Sequence, residues 1–175
     1  MKEEKVLFEN KWVSVIQKDF YIFARHGWCN SLGVALLPYR KTSTGSLEFL
    51  GRFEIFHAHG EEIELCAITG GYDKAGESFA DCAARELKEE GGYIVSSEKL
   101  IPLGTSKPSK ASDSTLHLFA VELDENTPYE TPTGDGTIAE EGSYAKWLTK
   151  KELLSSNDPN LLAMLVRLED MLENN

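Results

Sequence analysis

The stretch "SLGVALLPYR" (31–40) places the tightest constraint on the fold of this chain. It is long enough for one strand and almost continuously apolar, where a half-buried strand would alternate. Such a run belongs to a strand buried on both faces, as in sheets that carry cover on either side. The rest of the sequence must therefore supply partner strands and the elements that cover them.

Both are present. "KTSTGS" (41–46) is turn chemistry and "LEFLGRFEIF" (47–56) answers it as the second strand of a hairpin. "EIELCAIT" (62–69) reads as a further strand, bent into a loop by Gly70 and Gly71. "HLFAVEL" (117–123) and "SYAKWLT" (143–149) are strands, separated by the long polar loop 125–142. Helical period appears from about Ser78 to Glu90, where Phe79, Ala83 and Leu87 recur, and "KKELL" (150–154) starts a short helix. In "DPNLLAMLVRLEDMLEN" (158–174) Asp158 caps, Pro159 takes the first turn, and Leu161, Leu165, Leu168 and Leu172 form the stripe. Upstream, "KWVSVIQKDFYIFAR" (11–25) holds one or two strands. The expectation is one mixed α/β (α+β) domain over 1–175, with residues 1–30 as an N-terminal β extension.

Composition narrows the function. The 175 residues are 41% apolar and 27% charged, which suits a packed core. The net charge of −11 repels a phosphate backbone, so a nucleic-acid-coating role is disfavoured. Cys29, Cys66 and Cys82 follow no zinc spacing and read as buried thiols in a reducing compartment. The N-terminus has no apolar core of a leader and no run reaches membrane-spanning length, so the expected place is the cytoplasm.

The chemistry concentrates in "GGYDKAGESFADCAARELKEEGGY" (70–93). On a helix, Glu86, Glu89 and Glu90 fall within a sector roughly 100° wide, beside the apolar flank. Like charges so spaced repel by a few tenths of a kcal/mol, roughly, for each pair, which a solvated face tolerates. Arg85 and the upstream Glu77 add to the pattern. Carboxylates from one helix face plus a loop carbonyl are the oxygen donors that Mg²⁺ or Mn²⁺ takes.

Gly71, Glu77 and the run Arg85-Glu86-Leu87-Lys88-Glu89-Glu90-Gly91-Gly92-Tyr93 match G-x5-E-x7-R-E-U-x-E-E-x-G-U, in which U is a bulky apolar residue. This stretch resembles the Nudix box, with Tyr93 standing where an aliphatic residue is usual. The flanking strands and the C-terminal helix resemble the Nudix α/β/α sandwich, loosely over 31–172, with a mixed sheet. The resemblance implies hydrolysis of a nucleoside diphosphate linked to another moiety, helped by Mg²⁺ or Mn²⁺. By position it implies Glu86 and Glu90 as principal metal ligands, Glu89 assisting, and the Gly70 carbonyl as a further ligand. Arg85 would hold Glu77 or Glu89 in place, and Gly71, Glu77 and Gly92 would shape the box. The general base in such enzymes comes from the box or from a distal loop; here that loop offers Glu140 and Glu141.

The segment "LIPLGTSKPSKASDSTLHLFAVEL" (100–123) and the N-terminal strands are similar to those of ADP-ribose pyrophosphatases, which often pair as dimers. The lead-in "AITGG" departs from the Glu-x-Pro-Ala-Gly usual in those enzymes. ADP-ribose or a related nucleotide sugar is thus the leading substrate class, beside noncanonical nucleoside triphosphates and dinucleoside polyphosphates. A nucleotide-sensing module without catalysis is the alternative of a different class; such modules commonly lose box glutamates, and all are present here. Trp28 is a candidate for stacking on a base and Lys107 for meeting a phosphate.

Overall fold

The computed structural model describes residues 4–134 and 142–174. It begins with an antiparallel three-stranded sheet of β1 (Glu4–Glu9), β2 (Ser14–Lys18) and β3 (Tyr21–Arg25). β1 lies inside the charged N-terminus, which carries no alternation that marks it; its pairing with β2 makes it a strand. This sheet is tied to the remainder of the chain where the N–H of Ala24 donates to the Ala111 carbonyl and Arg25 meets Asp113 at 2.8 Å.

The apolar run 31–40 becomes β4 (Leu32–Lys41), buried from Gly33 to Tyr39. β5 (Leu47–Ile55) pairs with it only where Tyr39–Lys41 face Leu47–Phe49. Beyond that the two strands take different partners. β6 (Ile63–Cys66) runs along β5, and β7 (Ile68–Gly71) runs along β4. The stretch 62–69, read as one strand, is therefore two, and Gly70 and Gly71 are strand residues of β7 rather than a bend.

α1 (Phe79–Glu86) follows, then β8 (Ile101–Ser106), β9 (Thr115–Glu122), β10 (Tyr144–Thr149), α2 (Lys150–Leu153) and α3 (Pro159–Glu173). The main sheet has the order β10-β5-β4-β9-β8, with β4 and β9 parallel. β8 has no counterpart among the strands expected from the sequence; a register shift between Pro102 and Gly104 accommodates it, with Gly104 at φ 88°.

Alternation along β4 builds two cores. Val34 and Leu36 join Ile68, Cys82, Ala83 and Leu87 on the α1 side. Ala35, Leu37 and Tyr39 join Met164, Leu165 and Leu168 on the α3 side. This is a mixed α+β sandwich of the expected class.

The break between β6 and β7 falls at Ala67, whose N–H donates to Asp158 Oδ2 at 2.9 Å. The other Asp158 oxygen accepts the Asn160 N–H at 2.8 Å and so caps α3, and Ser156 Oγ donates to the Leu65 carbonyl at 2.6 Å. One buried carboxylate thus satisfies a strand break and a helix start together. Replacing Asp158 with Ala loses the cap and strands a buried amide, and should lower stability by about 2 kcal/mol or more in urea titration. Asp158→Asn keeps an acceptor for only one of the two N–H groups and should also lose stability; an Asn variant as stable as the parent would show that one of the two bonds contributes nothing.

Candidate active site

Ser78 starts α1 with a reciprocal cap: its hydroxyl accepts the Asp81 N–H at 3.0 Å, and Asp81 accepts the Ser78 N–H at 3.3 Å. After Glu86 the helix widens into a π turn, Leu87–Gly91, and stops at Gly92 with φ 80°. A side chain at Gly92 would overlap the Glu130 carbonyl. Because the turn ends here, its last carbonyls need outside donors. Glu89 C=O accepts from Gly134 N–H at 2.9 Å, Glu90 C=O from Arg52 Nη1 at 3.2 Å, and Gly92 C=O from Glu130 N–H at 2.8 Å.

Arg85 gathers the acids. Its Nε donates to Glu77 Oε1 at 3.1 Å, and Nη1 donates to Glu86 Oε1 at 2.6 Å and Glu89 Oε2 at 2.9 Å. Glu90 points inward instead, with its residue 6% exposed, and Oε2 accepts the Thr69 N–H at 3.3 Å. Burial pushes the Glu86 carboxyl up to about 7, and Arg85 only partly offsets it. Burial likewise pushes Glu90 up to about 8, against the pull of Arg52 and with repulsion from Glu54 and Glu86.

The glycines of β7 serve this packing. A Cβ at Gly70 would overlap the Glu86 carboxylate, and one at Gly71 would overlap the indole of Trp28. Trp28, also edge-on to Trp12 with ring centres 6.3 Å apart, lines a cleft of about 910 Å³ with Glu86, Glu89, Glu90 and Pro108. The acids and the aromatic wall thus share one cavity.

The family model of the NUDIX domain matches residues 42–167, more than half of the chain. The chain belongs to the Nudix hydrolase family. The crystal structure of an ADP compounds hydrolase has a similar fold, with a TM-score of 0.69 and 18% identity, covering 98% of this chain and 92% of that one.

Within this Nudix site the structure brings together Gly70, Gly71, Glu77, Arg85, Glu86, Glu89 and Glu90. Gly92 ends the π turn behind them, and Tyr93, half-buried, accepts from Trp147 Nε1 at 3.1 Å. Lys107 is exposed in the loop after β8 and is not among the residues lining the cleft, whereas its neighbour Pro108 is. Glu140 and Glu141 lie outside the described residues. Glu54 of β5 also lines the cleft, and Arg52 lies two residues before it on the same strand face. A charged residue inside the otherwise apolar "FLGRF" is the signal that could have found Arg52.

The donors suit a hard divalent cation: the buried carboxylate of Glu90 and the half-buried one of Glu86, the latter against the side-chain-free Gly70, all oxygen. Among the described residues no group of three or more His, Cys, Asp or Glu side chains is arranged to hold a metal ion. Arg85 draws Glu86 and Glu89 to itself, and its charge does part of the neutralising.

Two carboxyls raised from 4.5 toward 7 and 8 bind more protons folded than unfolded. Their contribution to stability is present below about pH 4.5 and is lost as pH rises through about 8. In EDTA, Glu90→Gln should therefore melt higher than the parent above about pH 8, and the gap should close toward about pH 5. A difference in melting temperature that is the same at both pH values would remove burial of the charge as its cause.

Proposed function

We propose that this Nudix hydrolase cleaves, with Mg²⁺ or Mn²⁺, the pyrophosphate of a nucleoside diphosphate linked to another moiety. ADP-ribose or a related nucleotide sugar is the favoured class. The observation that carries the reading is the complete box, with Glu86, Glu89 and Glu90 facing one cleft whose wall is an indole and Glu77 tied to them through Arg85. A nucleotide-sensing module would not need to bury Glu86 and Glu90 where each disfavours its own charge. The neighbouring fold is that of an ADP compounds hydrolase, and an adenine is a fitting partner for the Trp28 face.

In this reading Glu86 and Glu90, with the Gly70 carbonyl, hold the cation, and Glu89 assists from the rim. The bound cation supplies charge neutralisation at the phosphoryl oxygens. Arg85 keeps Glu77, Glu86 and Glu89 in register without reaching substrate. The base is Glu140, Glu141 or Glu89; the chain enters the segment 135–141 from Gly134, whose N–H is fixed to the Glu89 carbonyl at 2.9 Å. Noncanonical nucleoside triphosphates and dinucleoside polyphosphates are the alternative substrates for the same residues.

A homodimer is proposed through the N-terminal sheet, where Val6, Phe8, Phe20 and Ile22 are all more than half exposed. Among the described residues no helix is long and apolar enough to cross a membrane. The three cysteines are free and buried, which supports a reducing, cytoplasmic setting.

A screen of ADP-ribose, nucleotide sugars, dinucleoside polyphosphates and nucleoside triphosphates, read as released AMP, phosphate or pyrophosphate, tests the substrate. EDTA should silence turnover and Mg²⁺ or Mn²⁺ restore it; activity indifferent to chelation ends the metal reading. Glu90→Gln should abolish turnover with the fold intact, and Glu140→Gln or Glu141→Gln should slow it at unchanged metal affinity. Normal rates in both single variants and the double one return the base to the box. Trp28→Ala should raise KM about tenfold with kcat less affected.

A further inference from the structure

We propose that Arg52 is a positioning residue for the metal-binding turn, and that metal affinity depends on its fork geometry. The proposal rests on the reading of Glu90 as a cation ligand. Arg52 comes from β5, its side chain is 2% exposed, and it is not among the residues lining the cleft. It therefore reaches the site from behind, where substrate does not.

Its donors are spread over three residues, one backbone carbonyl and two side-chain oxygens. Nη1 donates to the Glu90 carbonyl at 3.2 Å, a group the π turn leaves without a helical donor. Nη2 donates to Ser143 Oγ at 2.7 Å, just ahead of β10, and stands 4.0 Å from Glu90 Oε1. Nε faces Glu54 Oε2 at 3.5 Å, on the same strand and inside the cleft. One planar group thus fixes the main chain of Glu90, stands beside its carboxylate and holds the approach to β10. With the Thr69 N–H on Oε2, Glu90 is held at both its carbonyl and its carboxylate.

A lysine keeps the charge but offers one point instead of a fork, so it cannot hold Glu90 and Ser143 together. The charge-preserving change therefore isolates geometry from Coulomb attraction. Groups that orient a metal ligand from the second layer are worth about ten- to a hundredfold in affinity.

The experiment is a calorimetric titration of Mn²⁺ into substrate-free protein, followed by KM at saturating Mn²⁺. Arg52→Lys should weaken Mn²⁺ binding about tenfold and leave KM unmoved. Ser143→Ala, which removes one bond to the guanidinium and is expected to fold whatever Arg52→Lys does, should weaken it about threefold. Unchanged Mn²⁺ affinity in Arg52→Lys overturns the proposal, and a raised KM beside it would make Arg52 a phosphate-gripping residue. If Arg52→Lys does not fold, unchanged affinity in Ser143→Ala overturns it instead. A parent protein that binds no Mn²⁺ removes the metal reading itself, which is a different failure from variants that bind as the parent does.

Discussion

The guanidinium of Arg85 is the contact on which the rest of the site depends. Four glutamates within fourteen residues would repel one another on any helix, and repulsion alone would splay Glu86 from Glu89 and push Glu77 off the helix start. A single planar cation answers three of them through two of its nitrogens, at distances of 2.6 to 3.1 Å. Exposed pairs of this kind contribute little to stability, but here the arginine side chain is 21% exposed and the acids have few other donors. What the network achieves is alignment. It presents carboxylate oxygens to the cleft in a fixed order, ahead of any ligand.

Glu90 escapes that network, and its placement has a different cause. The π turn carries it toward β5 and under Thr69, where burial outweighs hydrogen bonding and keeps its proton affinity high. The end of the helix is then sealed piece by piece, by Arg52, Glu130 and Gly134. Each seals a different carbonyl, so the site-bearing turn is fastened to β5 and to the loop after β9. Side-chain-free positions complete the arrangement: Gly70 yields space to a carboxylate and Gly71 to an indole.

The box, the strands at either side and the capped C-terminal helix are legible in sequence because each is local. Periodicity, a cap residue and fixed spacing report on residues a few positions apart. The features that are not legible are set from far along the chain. β1 is a strand because β2 lies beside it, and β8 because β9 does. The interruption at Ala67 depends on Asp158, and the π turn on donors from β5 and from beyond β9. Gly70 and Gly71 invite a reading as bend residues, since the sequence does not show the carboxylate and the indole that press on them. Arg52 and Glu54 are absent from the motif for the same reason: their importance comes from what β5 is laid against.

The bond from Ala67 to Asp158 spans 91 positions. A ribosome that has released the whole box still holds the residue that completes the strand beside it. The carboxylate helix can form early on its own caps, but the strand break beside it is satisfied only once Asp158 is free to reach Ala67. A chain cut short before α3 would carry every acid of the box with no finished surface to hold them.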